Sequence, residues 1–126
     1  WEQPCPELAG LIEQGHLDDH FVRDVCTEYL EPLLSREIEV VVLGCTHFPF
    51  VQPLLEELTS GRIQFIDPAF ETSELVRRRL EGKDLFNPQK TAGTVSLYFT
   101  KDIELGDKLS ASFLNTSRRS IEHITL

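Results

Sequence analysis

Residues Ile38 to Leu43, IEVVVL, are apolar apart from one glutamate and run straight into Gly44-Cys45-Thr46-His47. A short, nearly unbroken apolar run rich in β-branched residues predicts a strand buried on both faces, the form strands take in a parallel sheet. Parallel strands cannot be joined by tight turns, so helices must connect them.

The flanking sequence supplies those helices. Helical spacing of apolar residues predicts helices over Pro6–Gln14, 18–36, Phe50–Thr59, Glu71–Glu81 and Asp102–Leu114. Gly15 and Gly61 follow two of them, where a helix ends readily on glycine. Pro32 falls inside the second and is expected to kink or divide it. Thr100 or Asp102 is placed to cap the last. Further strands are predicted over Ile63–Ile66, Thr94–Thr100 and Ile121–Leu126. This alternation predicts an α/β fold, a mostly parallel sheet with flanking helices and right-handed crossovers. Residues 82–93, GKDLFNPQKTAG, lack periodicity and are expected to be a linker or long loop.

With 126 residues, 40% of them hydrophobic, the chain can bury a core of ordinary domain size. A formal net charge of −9 argues against a nucleic-acid partner. The basic runs Arg77-Arg78-Arg79 and Arg118-Arg119 read as solvated surfaces. No apolar run approaches the ~20 residues of a membrane span, and no signal-peptide pattern opens the chain. Three cysteines, an odd number, suggest free thiols in a reducing cytoplasm. The chain has no methionine and opens at Trp1, so it is expected to be part of a longer protein, with an incomplete active site.

In an open α/β sheet, ligands bind beyond the carboxyl ends of the strands, where Cys45 is expected. Gly44 lets the backbone turn or approach a ligand closely. The positive end of a following helix favours thiolates and bound carboxylates. Thr46 offers a hydroxyl, and His47 exchanges protons near neutral pH. The residues alone leave simple packing of Cys45 open. One Cys-x-His pair is too little for a zinc site, and the local signature of a thiol protease is absent. Cys26 falls on the apolar face of a helix and reads as core. Cys5, between two prolines, carries no signal of its own.

Leu43-Gly44-Cys45-Thr46-His47-Phe48-Pro49 resembles the second cysteine motif of the glutamate racemase family, within the aspartate/glutamate racemase group. Cys5-Pro6 with Leu11-Ile12-Glu13-Gln14-Gly15 resembles the family's upstream segment, and Phe65-Ile66-Asp67-Pro68-Ala69 its next strand and acidic turn. Tyr98-Phe99-Thr100-Lys101-Asp102, Ser112-Phe113-Leu114 and Ile121-Glu122-His123-Ile124 resemble its C-terminal elements. Phe48 stands where relatives often carry tyrosine.

The resemblance implies inversion of the glutamate α-carbon by two opposed cysteines, with no cofactor and no metal. One thiolate removes the α-proton and the other thiol delivers one to the opposite face. Cys45 would be the second cysteine, with His47 assisting it and Glu13 pairing with His47. Thr46 and Gly44 would bind substrate. The family's first cysteine motif and its early aspartate-serine contacts have no counterpart here. The resemblance therefore implies a C-terminal part whose partner is the missing N-terminal half. Residues 1–68 would belong to the second of two similar lobes, and 69–126 would complete the first. Exposed edges and apolar faces would favour a homodimer. The implied role is supply of D-glutamate for peptidoglycan in the bacterial cytoplasm. A racemase for aspartate or another amino acid, or a non-catalytic amino-acid-binding module, stands as the alternative.

Overall fold

A computed structural model describes residues 1–89, 91, 93–114 and 119–125. The chain forms two compact units, Trp1–Leu85 and Phe86–Leu126, divided within the segment expected to be a linker. The first contains α1 (Leu8–Glu13), α2 (His20–Leu34), β1 (Val40–Val42), a 3-10 turn (Phe48–Val51), α3 (Gln52–Leu58), β2 (Gln64–Ile66) and α4 (Pro68–Glu81). The second contains β3 (Val95–Phe99), α5 (Ile103–Phe113) and β4 (Arg119–His123). Element types and order are those expected from the sequence, and the α/β class holds. Each unit holds its own two-stranded parallel sheet, β1 with β2 in the first and β3 with β4 in the second.

Helix α2 shows why the first unit closes. Its buried residues Val22, Cys26, Leu30 and Leu33 recur at three- and four-residue spacing on one face. Asp19 caps it, its Oδ1 accepting from the N–H groups of Phe21 and Val22 at 3.0 and 3.3 Å. The second Asp19 oxygen lies 2.6 Å from His16 Nδ1. Pro32 does not divide the helix; α2 runs on to Leu34. It sits in the last turn, so the missing N–H removes one bond near an end that frays anyway. Pro32's own carbonyl, one of the last of the helix, accepts from Ser35 Oγ and Arg36 Nη1 at 3.1 and 2.8 Å.

Helix α1 ends in a tight cap at Gly15, whose φ is +92°. Gly15 N–H donates to Ile12 O and His16 N–H to Leu11 O, at 2.9 and 3.0 Å. That cap fixes where Glu13, the last residue of α1, points its side chain. Leu8 and Ile12 are buried and anchor the helix, which packs on α2 and on the 3-10 turn that carries buried Val51.

One expectation is corrected. The run Ile38–Leu43 is not buried on both faces within its unit. Val41 and Phe65, paired across the sheet, face inward, whereas Val40, Val42 and Ile66 are 50%, 61% and 38% exposed. Helices cover one side of this two-stranded sheet, and the other remains an apolar surface.

In the second unit α5 connects the parallel strands β3 and β4. A Cβ on Gly106 would come within 2.7 Å of the Phe99 ring, so glycine lets α5 lie directly against β3. Asp102 occupies the N-cap position of α5 but is left-handed (φ 50°) and makes no side-chain cap. Its carbonyl accepts from Gly106 N–H at 2.9 Å instead. Arg77 pairs with Glu74 and Glu81 on the exposed face of α4, a solvated basic run as expected; Arg118 lies outside the described residues. Among the described residues no helix is long and apolar enough to cross a membrane.

Candidate active site

Strand β1 is held to β2 past its end by Leu43 N–H donating to Ile66 O at 2.9 Å. The chain then turns outward through Gly44, Cys45, Thr46 and His47. Phe48 N–H donates to Cys45 O and Phe50 N–H to His47 O, at 3.2 and 3.0 Å, which winds the 3-10 turn. Prolines account for the delay before a true helix: Pro49 and Pro53 lack donors that regular α-helical bonding would use. Helix α3 therefore begins at Gln52, past the expected Phe50, and has only seven residues. The 3-10 turn Phe48–Val51 stands between Cys45 and the start of that helix.

The donors around Cys45 belong to the turn itself. Among the described residues, the N–H groups of Gly44, Cys45, Thr46 and His47 meet no protein acceptor. Successive free backbone N–H groups of this kind suit an anion. Thr46 is exposed, and its hydroxyl has no protein partner there either. Gly44 needs neither a left-handed φ nor extra room, since nothing lies within 4 Å of a Cβ built on it. Its effect is to leave the approach to Cys45 open.

Three side chains line up behind this turn. Cys45 Sγ lies 3.7 Å from His47 Nδ1, and His47 Nε2 lies 3.0 Å from Glu13 Oε1. Packing of α1 against the 3-10 turn brings Glu13 to His47. A carboxylate only accepts, so Glu13 places the imidazole proton on Nε2. In the neutral ring, Nδ1 is then the free acceptor facing the thiol. The line can pass a proton between Sγ and Nδ1 while Glu13 steadies the ring. Cys45 is half-buried, and the His47 and Glu13 side chains are 29% and 44% exposed, so solvent reaches the far end of the line.

A cavity of about 570 Å³ opens between the N-terminal segment and β1, lined by Cys5, Cys26, Tyr29, Val41, Cys45 and Phe48 among others. Cys26 is fully buried, the core position expected for it. Burial, and secondarily the charge of Cys5, pushes its thiol up to about 11. Burial, and then the charge of Cys45, also pushes the Cys5 thiol up. Sequence spacing gave no sign that Cys5 would share a cavity with Cys45. Asp67 lies elsewhere in function, capping α4 by accepting from Ala69 N–H at 2.9 Å. Among the described residues no group of three or more His, Cys, Asp or Glu side chains is arranged to hold a metal ion.

No protein-family model matches the chain. It is 37% identical over 99 residues to a glutamate racemase of Trichodesmium erythraeum, covering 76% of this chain and 37% of that protein. It is 36% identical over 110 residues to a glutamate racemase of Clostridium perfringens, covering 84% of this chain and 42% of that protein. The crystal structure of glutamate racemase from Francisella tularensis in complex with D-glutamate superposes with a TM-score of 0.86 at 26% identity, covering 97% of this chain and 46% of that one. The Thermus thermophilus enzyme in complex with β-chloro-D-alanine gives 0.79 at 30% identity, covering 97% and 46%. The chain thus spans less than half the length of these relatives. Over that stretch, by sequence and by fold alike, it belongs to the glutamate racemase family.

Proposed function

We propose that this chain is the C-terminal part of a glutamate racemase and supplies one of its two acid–base thiols, Cys45. The observation that carries the reading is the line Cys45–His47–Glu13, with distances of 3.7 and 3.0 Å. Cys45 as thiolate takes the α-proton from one enantiomer, and as thiol returns a proton in the reverse direction. His47 Nδ1 exchanges that proton with the sulfur, and Glu13 keeps the ring turned toward it. The free N–H groups from Gly44 to His47, with the Thr46 hydroxyl, receive a substrate carboxylate. Holding that carboxylate near the reacting carbon helps the site tolerate the carbanion-like charge that develops.

Inversion needs a second group on the opposite face of the α-carbon. It comes from the remaining, N-terminal part of the protein, so the present chain alone is inactive. Residues 1–68 form part of one lobe and 69–126 help to complete the other. The exposed apolar side of the β1–β2 sheet, formed by Val40, Val42 and Ile66, supports the presence of further chain over it. The whole enzyme acts as a homodimer in the bacterial cytoplasm and provides D-glutamate for peptidoglycan.

The test is exchange of the glutamate α-proton in heavy water, followed by NMR with both enantiomers. It compares this chain, the chain joined to its N-terminal part, and the joined protein carrying Cys45→Ser. Exchange is expected only in the joined wild type. Exchange of aspartate in place of glutamate would move the reading to another racemase; no exchange of either would leave a binding module.

A further inference from the structure

We propose that Arg23 is a positioning residue for proton transfer at Cys45, because its guanidinium closes the frame of elements that keeps Glu13 on His47. The catalytic consequence rests on the acid–base role assigned to Cys45 above; the hold on the Glu13–His47 contact does not.

In the first unit α1 packs on the 3-10 turn, the turn on α3, α3 on α2 and α2 on α1, so these four elements form a closed frame. The Glu13–His47 contact, at 3.0 Å, ties α1 to the head of the 3-10 turn. Arg23 ties the opposite joint. From α2, its Nη1 and Nη2 donate to Oε1 and Oε2 of Glu57 on α3, at 2.9 and 3.0 Å. Such a two-pronged pairing fixes direction as well as distance. The same guanidinium reaches back to the segment between α1 and α2. There Nη2 donates to Asp18 Oδ1 at 2.5 Å and Nε to Asp18 O at 3.3 Å. One side chain thus holds together α2, α3 and the stretch of chain that leaves α1 soon after Glu13.

The tie matters because its neighbours are short. Helix α1 has six residues and α3 seven, too few to hold their place without packing. Each rests on a few buried side chains, Leu8 and Ile12 in α1, Leu54 and Leu55 in α3. Apolar burial has no direction, so it resists separation more than it resists a small roll or slide. The hydrogen bond from His47 Nε2 to Glu13 does have direction, and it weakens steeply as its angle closes from linear. The frame therefore needs a second directional joint to keep the imidazole in place, and Arg23 supplies it. The Arg23 side chain is 33% exposed, and Asp18 and Glu57 are more so, so the clasp adds little to global stability and is screened by salt. Its effect is on register.

The test uses the chain joined to its N-terminal part. It reads kcat and KM for glutamate α-proton exchange, the nitrogen-15 signals of His47, and Tm. Arg23→Gln should lower kcat about fivefold with KM nearly unchanged, and should mix the two His47 tautomers while Tm scarcely moves. Glu57→Gln, which keeps the side-chain volume, should act in the same direction more weakly. Arg23→Lys, a single point charge in place of the fork, should retain part of the activity. Arg77→Gln, which breaks the ion pairs of α4, should change none of these readings. The decisive comparison is made in a Glu13→Gln background. There the loss from Arg23→Gln should vanish, since Arg23 acts through Glu13. An equal loss in both backgrounds, a fall in kcat matched by a fall in Tm, or unaltered His47 signals with unaltered kcat would overturn the proposal. If the joined wild type exchanges no amino-acid α-proton, the racemase reading falls, and the His47 signals by themselves still decide whether Arg23 governs the Glu13–His47 contact.

Discussion

Glu13 and His47 lie 34 positions apart, yet a Glu13 oxygen sits 3.0 Å from His47 Nε2. The contact joins the last residue of α1 to the turn that follows β1. Its chemical consequence is at the other ring nitrogen, where Nδ1 is left facing Cys45 Sγ.

Replacing Glu13 by Gln tests that consequence. A glutamine can turn its amide N–H toward Nε2, which would move the ring proton to Nδ1 and point a donor at the thiol. In the joined racemase this should lower kcat by ~10²-fold, with a smaller effect on KM. Nitrogen-15 NMR of His47 in the present chain should report the tautomer change directly. An unchanged tautomer and unchanged kcat would remove Glu13 from the mechanism.

Cys45→Ser should reduce glutamate α-proton exchange by ~10³-fold or more in the joined protein, because a hydroxyl is a far poorer base than a thiol at neutral pH. Thermal stability should scarcely change, since Cys45 is half-buried and makes little of the core. Parallel loss of Tm and activity would instead point to a packing role.

Helix α1 should be sensitive to its anchor. Ile12 is fully buried, so Ile12→Ala should cost about 2–5 kcal/mol of stability, read by denaturant unfolding. Ile12→Val should cost only ~1 kcal/mol. Because α1 carries Glu13, the larger substitution should also weaken the Glu13–His47 contact.

Gly106→Ala places a methyl group 2.7 Å from the Phe99 ring and should cost about 1–3 kcal/mol. Phe99→Leu in the same chain should recover part of that loss. Additive effects of the two changes in a double-mutant cycle would show that the ring does not set the α5–β3 spacing.

The Asp19 cap of α2 should make stability depend on acid. The hydrogen bond from His16, followed by the backbone N–H groups of Val22 and Phe21, holds the Asp19 carboxyl below its usual range against partial burial. A depressed carboxyl adds stability that is fully present above its unfolded pKa, about 3.9, and is lost as pH falls through the lower folded value. Asp19→Asn should therefore lower Tm near neutral pH and lose most of that difference in strong acid. A pH-independent difference would mean the charge is immaterial to the cap.

Local pattern determined much about this protein. Spacing of apolar residues ordered the helices and strands because helical and extended backbones impose different periods on a buried face. Gly15 and Gly61 marked helix ends through short-range bonding, and the residues around Cys45 carried the family likeness. The sequence could not say that helices would cover only one side of Val40–Val42, since an apolar run reads alike whichever face is covered. It could not place α3 after a 3-10 turn, because the two prolines permit several ways to start a helix. Contacts that span the fold were decided by packing alone. Glu13 reaches His47 because α1 rests on the 3-10 turn, and Cys5 and Cys45 line one cavity because the N-terminal segment borders it. Periodicity fixes which way a side chain faces along its own element; only tertiary packing fixes which element it meets.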